Sequence, residues 1–193
     1  MDLQKINVKF FAANSVGIPL EAFINIFNTW IQASEGEYYD IADYSHVQAG
    51  PGVLLIAHEA NISIDNSGNR LGLLYNHKRP LKGSNREKLR TAFATALEYC
   101  RRIEDDPTLQ GRLRFRGDEA VVLVNDRLLA PNSEETFFAI RADIEELARV
   151  LYAGSNFSLE REEDSRRRFG LHIKTPVSFD VTTLIKNIEK NAN

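Results

Sequence analysis

Residues 76–90, NHKRPLKGSNREKLR, gather six lysines and arginines around a histidine, a proline and a glycine. Lys78, Arg79, Lys82 and Arg86 are of the types that hold phosphate or carboxylate. An arginine grips such a group with two parallel N–H donors, and a lysine acts as a point charge. Ser84 and Glu87 stand at the spacing of a capping box, which would start a helix here. A helix start offers unpaired N–H groups and a favourable field to an anion. The stretch lacks the G-x-x-x-x-G-K-[ST] order of a phosphate loop. A polar loop running into a capped surface helix accounts for the same residues.

A second basic feature is RLRFR, in which Arg112, Arg114 and Arg116 alternate with Leu113 and Phe115. In a strand the three arginines would share one face and the two apolar residues the other. Three like charges on one face need solvent, acidic neighbours such as Glu160 or Glu162, or an anionic partner. The stripe lacks the aromatic interleaving of a single-strand nucleic-acid binder.

His58 and Glu59 close the apolar run VLLIAH and are weak candidates for proton handling. Neighbours in a strand point to opposite faces, so the two would not pair without a bulge. A structural hydrogen bond is the simpler role for His58. His46, His77 and His172 have no metal-site spacing, and no metal is expected. Cys100, the only cysteine, falls on the apolar side of a helical pattern and fills a core. No cofactor-binding motif is present. Asp118, Glu119 and Asp126 read as turn chemistry.

The elements that must position these groups follow from periodicity. Residues 3–11 alternate and then become apolar, as a first strand does. Pro19 suits a first helical position, and Leu20, Phe23, Ile24, Phe27, Trp30 and Ile31 recur at helical spacing. YYDIADY and VLLIAH read as strands, the latter central and buried on both faces. NISID, the NSGN turn at 66–69 and RLGLLYNH read as a hairpin. A helix is expected from about Ser84 to Ile103, with Leu89, Phe93, Leu97 and Cys100 inward. Short strands are expected at GRLRFRGD and at AVVLVND. A third helix follows, burying Ile140, Ile144, Leu147 and Leu151. A strand pair at NFSLERE and FGLHIKT, and a last helix over 178–190, complete the chain. The fold class is α+β, or α/β: a mixed, mainly antiparallel sheet with amphipathic helices on one face. One domain spans 1–193, with two loosely similar lobes at 1–107 and 108–193 as an option.

The chain carries 24 basic and 27 acidic residues, a net charge of -3. A mildly acidic total argues against nucleic acid as the partner. No apolar run is long enough to span a bilayer. MDLQKINVKFFAAN lacks the pattern of an export signal, so a soluble, cytoplasmic protein is expected. The acidic-then-basic run REEDSRRR could cross-pair between copies in a homo-oligomer, and Tyr38, Tyr39 and Tyr44 are residues that favour interfaces. The leading functional expectation is a non-catalytic binding or assembly module for a small anionic molecule or an acidic protein surface. The alternatives are an enzyme acting on a phosphorylated or carboxylated small molecule, and nucleic-acid binding through the basic segments.

Overall fold

A computed structural model describes residues 1–14 and 17–190. In chain order the elements are β1 (Ile6–Asn14), α1 (Ala22–Ala33), β2 (Tyr38–Tyr44), β3 (Gly52–Ala57), β4 (Ala60–Asp65), β5 (Gly72–His77), α2 (Asn85–Glu104), β6 (Arg114–Val124), α3 (Glu134–Leu151), β7 (Ser158–Arg161), β8 (Phe169–Lys174) and α4 (Val181–Lys190). The strands form one eight-stranded sheet in the order β2-β3-β4-β5-β1-β6-β8-β7. Every neighbouring pair is antiparallel. The class is therefore α+β. β1, first in the sequence, lies between β5 and β6 and joins the two halves of the chain.

One face of the sheet is apolar because odd and even positions of each strand divide cleanly. Ile6, Val8 and Phe10 of β1, Ile62 and Ile64 of β4, and Val122 and Val124 of β6 are buried in a single core cluster. The helices cover this face. α2 contributes Leu89, Phe93, Leu97 and Cys100, all fully buried. The Phe93 ring meets Phe10 edge-on, with centroids 5.9 Å apart. Ser84 caps α2: its side chain accepts from the Glu87 backbone N–H while the Glu87 carboxylate accepts from the Ser84 N–H. α1 brings Trp30 into a stack on Tyr99 of α2, at 5.9 Å.

Three expectations are corrected. VLLIA is not central, for β3 lies one strand from the edge, and Leu54 and Ile56 are only half-buried. The strands expected at GRLRFRGD and AVVLVND are one strand of 11 residues, β6. It continues through Gly117, where a Cβ would lie 2.1 Å from the Phe179 carbonyl oxygen, so the close approach of that loop requires glycine. α1 starts at Ala22 instead of Pro19. The Ala22 and Phe23 N–H groups donate to the Pro19 and Leu20 carbonyls, making a tight turn before the helix. Among the described residues no helix is long and apolar enough to cross a membrane.

Candidate functional site

The other face of the sheet carries no helix and is polar along its middle. The registers place Leu54, Ser63, Leu74, Lys9, Val121 and His172 in one row across β3, β4, β5, β1, β6 and β8. The adjacent row reads Ile56, Asn61, Asn76, Asn7, Leu123 and Gly170. Three asparagines thus stand side by side on β4, β5 and β1. The first row, with Asn61, Asn76 and Leu123 of the second, lines a cleft of about 430 Å³, within the size range of small-molecule sites. Half-buried leucines form its walls.

The floor holds a buried ion pair. Lys9 Nζ lies 2.5 Å from an Asp65 carboxylate oxygen, and both side chains are nearly inaccessible. The Ser67 hydroxyl donates to the second Asp65 oxygen at 2.7 Å. Burial holds the Lys9 ammonium below its ordinary pKa, and Asp65 opposes that shift. Gly72 stands beside this pair, and a Cβ there would lie 2.3 Å from the Phe10 carbonyl oxygen.

One end of the cleft is braced by Arg70, which donates two bonds to Glu119 at 2.9 and 2.7 Å. Its guanidinium carbon lies over the Phe11 ring, 3.6 Å from the centroid. Glu119 also meets His172 Nδ1 at 3.4 Å. Burial by itself would raise the Glu119 pKa, but the bonds from Arg70 and His172 and the charge of Arg116 outweigh it, and the net shift is downward. At the other end Arg167 and Arg168 line the wall. Arg167 pairs with Glu162 at 3.2 Å. Arg168 is half-buried and has no ion-pair partner among the described residues.

Two asparagines of the second row carry unsatisfied atoms, Asn61 in the cleft lining and Asn7 buried behind it. The Asn7 side chain is fully buried, and neither its Nδ2 nor its Oδ1 has a hydrogen-bond partner among the described residues. The same holds for Asn61 Oδ1. An orphaned buried polar group costs about 1–3 kcal/mol, so such groups mark a place where a partner molecule can contribute.

The residues singled out by the sequence lie elsewhere. His58, Glu59, Lys78 and Arg79 do come together, at the β3–β4 turn and the end of β5. Arg79 Nη2 is 2.6 Å from His58 Nε2, His58 Nδ1 is 2.9 Å from the Tyr39 hydroxyl, and Glu59 stands 3.7 Å from the imidazole. Lys78 Nζ donates to the Ala57 carbonyl. An arginine can only donate, so Nε2 accepts and the ring N–H points to Tyr39. Arg86 is apart from them, paired with Asp143 of α3 at 3.2 Å. Lys82 is exposed, without an ion pair among the described residues.

The arginine stripe is likewise divided. Arg112 precedes β6 and donates to the Leu109 carbonyl. Arg114 faces Glu104 at 3.9 Å, and Arg116 donates two bonds to Asp118. Glu160 pairs with Lys174 instead. In the REEDSRRR loop, Arg166 and Arg167 find Asp164 and Glu162 within the loop itself. Tyr38 is buried, whereas Tyr39 and Tyr44 are exposed.

A larger groove of about 770 Å³ runs beside Trp30, Tyr38, Tyr99 and Arg102. Its polar groups already satisfy one another. Arg102 stacks on Trp30 at 3.9 Å and donates to the Tyr38 hydroxyl at 2.9 Å, while the Tyr38 and Tyr99 hydroxyls lie 3.3 Å apart. Volume favours this groove, but unsatisfied chemistry favours the helix-free cleft, and binding energy comes from the latter. Among the described residues no group of three histidine, cysteine, aspartate or glutamate side chains is placed to hold a metal ion.

Fold and site together define an α+β protein with helices on one face of an eight-stranded antiparallel sheet and a polar cleft on the other. Compared with protein-family models, with curated proteins and with solved structures, the chain matches none.

Proposed function

We propose that the protein is a non-catalytic binding module whose helix-free cleft takes a small anionic ligand. The observation that carries this reading is Arg168, a half-buried cation in the cleft wall with no ion-pair partner among the described residues. The other cations of the cleft are neutralised by Asp65, Glu119 and Glu162. A guanidinium in partial burial binds phosphate or carboxylate more strongly than a fully solvated one, because water screens it less. The enzyme alternative draws on the approach of Arg79 to His58. The same contact occupies the imidazole lone pair that a general base would use, so the binding reading is preferred.

Calorimetric titration with inorganic phosphate and with a dicarboxylate tests the proposal. We expect saturable binding that weakens with salt and falls about tenfold or more in Arg168→Ala, the loss of one charge-assisted contact. An Arg168→Ala protein that binds as tightly as the parent would sink it, as would no binding of either anion at low salt.

A further inference from the structure

We infer that the ligand of this cleft is a nucleoside monophosphate, its base edge read by the asparagine row and its phosphate held by Arg168. The inference rests on the anion-binding reading above and adds what the rest of the cleft recognises. A carboxamide presents one acceptor and one donor side by side. The group that answers both at once is a planar edge with an adjacent donor and acceptor, as nucleobases carry and as asparagine reads in adenine. A sugar hydroxyl or a second carboxylate does not offer that pair in one plane.

The placement of the row supports the assignment. Asn61, Asn76 and Asn7 are register partners on consecutive strands, so Asn61 and Asn7 are about 10 Å apart. Asn61 and Asn76 line the cleft. Asn7 lies between Asn76 and Leu123, two cleft-lining residues, with its whole amide orphaned. The orphaned groups are a penalty of the folded state. A base edge that pairs with Asn61 and Asn76 removes part of it, which strengthens binding beyond the bond itself.

The ends of the row fit the remaining parts of such a ligand. Arg168 stands just ahead of β8, two residues before Gly170, the last position of the asparagine row, and lines the cleft. Gly170 carries no side chain, and Leu123 packs over it where a Cβ would stand. Three strand spacings, about 14 Å, separate Asn76 from the β8 backbone, and the arginine side chain spans much of that distance. On the opposite flank the Arg70 guanidinium, 3.6 Å from the Phe11 ring centroid and partly exposed, offers a planar cationic surface on which a heterocycle stacks. A charge, a donor–acceptor edge and a stacking plate in one cleft are the three elements of nucleotide recognition.

The test compares adenosine, guanosine and uridine monophosphates with ribose-5-phosphate on the full chain by calorimetry. We expect at least one nucleotide to bind about tenfold or more tighter than ribose-5-phosphate, the discrimination one bidentate pair supplies. Asn76→Ala should abolish that preference and leave ribose-5-phosphate affinity unchanged. Asn61→Ser, which keeps a hydroxyl, serves as the second variant and should reduce the preference by less. If ribose-5-phosphate binds as tightly as every nucleotide, this inference is overturned while the anion reading stands. If no phosphorylated compound binds at all, both are overturned. A preference that survives in both asparagine variants also overturns the inference.

Discussion

The two faces of the sheet are built from the same strands and obey opposite rules. On the covered face Ile6, Val8 and Phe10 alternate into a dry core under α2. On the open face the intervening residues of β1, Asn7 and Lys9, are just as inaccessible but polar. Burial of the first set is favourable at about 25 cal/mol per Å² of apolar surface. Burial of the second set is unfavourable unless every polar atom is paired. The covered face meets its condition except at His77, whose Nε2 is buried without a partner among the described residues. The open face meets it at Lys9 and Asp65 and fails at Asn7 and Asn61. The same strand therefore contributes stability through one face and recognition chemistry through the other.

The largest effect that separates the faces is expected in the core. Phe93→Ala removes the ring that α2 lays against Phe10, and a buried phenylalanine truncation costs about 3–5 kcal/mol. Urea denaturation monitored by circular dichroism should show that loss with little dependence on pH. A loss below about 1 kcal/mol would mean that α2 is not the element that seals the covered face.

Next in size is the buried ion pair. Asp65→Ala leaves the Lys9 ammonium without its partner, and breaking such a pair costs about 3 kcal/mol or more. Here the pH dependence carries the signature. Burial already holds folded Lys9 below its ordinary value of 10.5, and losing the carboxylate lowers it further. Between the folded and unfolded values the unfolded chain binds the proton and the folded one does not. Stability of the variant should therefore rise with pH toward 10.5. The apolar pair Lys9→Met with Asp65→Leu should recover most of the deficit at neutral pH, because exchanging a buried ion pair for apolar residues is often close to neutral. A pH-independent deficit in Asp65→Ala would show that the pair contributes only shape.

How far the sequence foretold this division depends on the distance over which each signal acts. The covered face was legible, since helical spacing and strand alternation are local patterns. The capping box at Ser84 and Glu87 appears bond for bond. Gly117 misled the reading of β6, because a glycine beside an aspartate resembles a turn, whereas its cause is the distant Phe179 carbonyl. The site was less legible for a similar reason. Alternation in INVKF and NISID says that Asn7 and Lys9 share a face, and that Asn61, Ser63 and Asp65 do. It does not say that β1 inserts beside β5, which alone aligns Asn7, Asn76 and Asn61. The conspicuous runs of charge drew attention instead. They are arranged as surface pairs, Arg86 on Asp143 and Arg116 on Asp118, while the unpartnered arginine of the cleft ends the run REEDSRRR, whose charges read as pairing between copies.

The smallest effect tests how the open face is held in shape. Glu119 ties Arg70 from the β4–β5 turn to His172 on β8, across β1 and β6. Glu119→Gln keeps the shape and removes the charge, and loss of bonds to an ionised group costs about 2 kcal/mol. The folded pKa of Glu119 lies below its ordinary 4.5. Its contribution is thus fully present above pH 4.5 and is lost as pH falls through the folded value. The variant should be less stable than the parent at pH 7, and the two urea midpoints should converge in acid. Phosphate affinity should persist in Glu119→Gln, because Arg168 stands on the far side of the cleft and is not bonded to Glu119. A variant that loses phosphate binding while keeping its neutral-pH stability would reverse the assignment, making the Arg70 end the anion site and leaving Arg168 a surface charge.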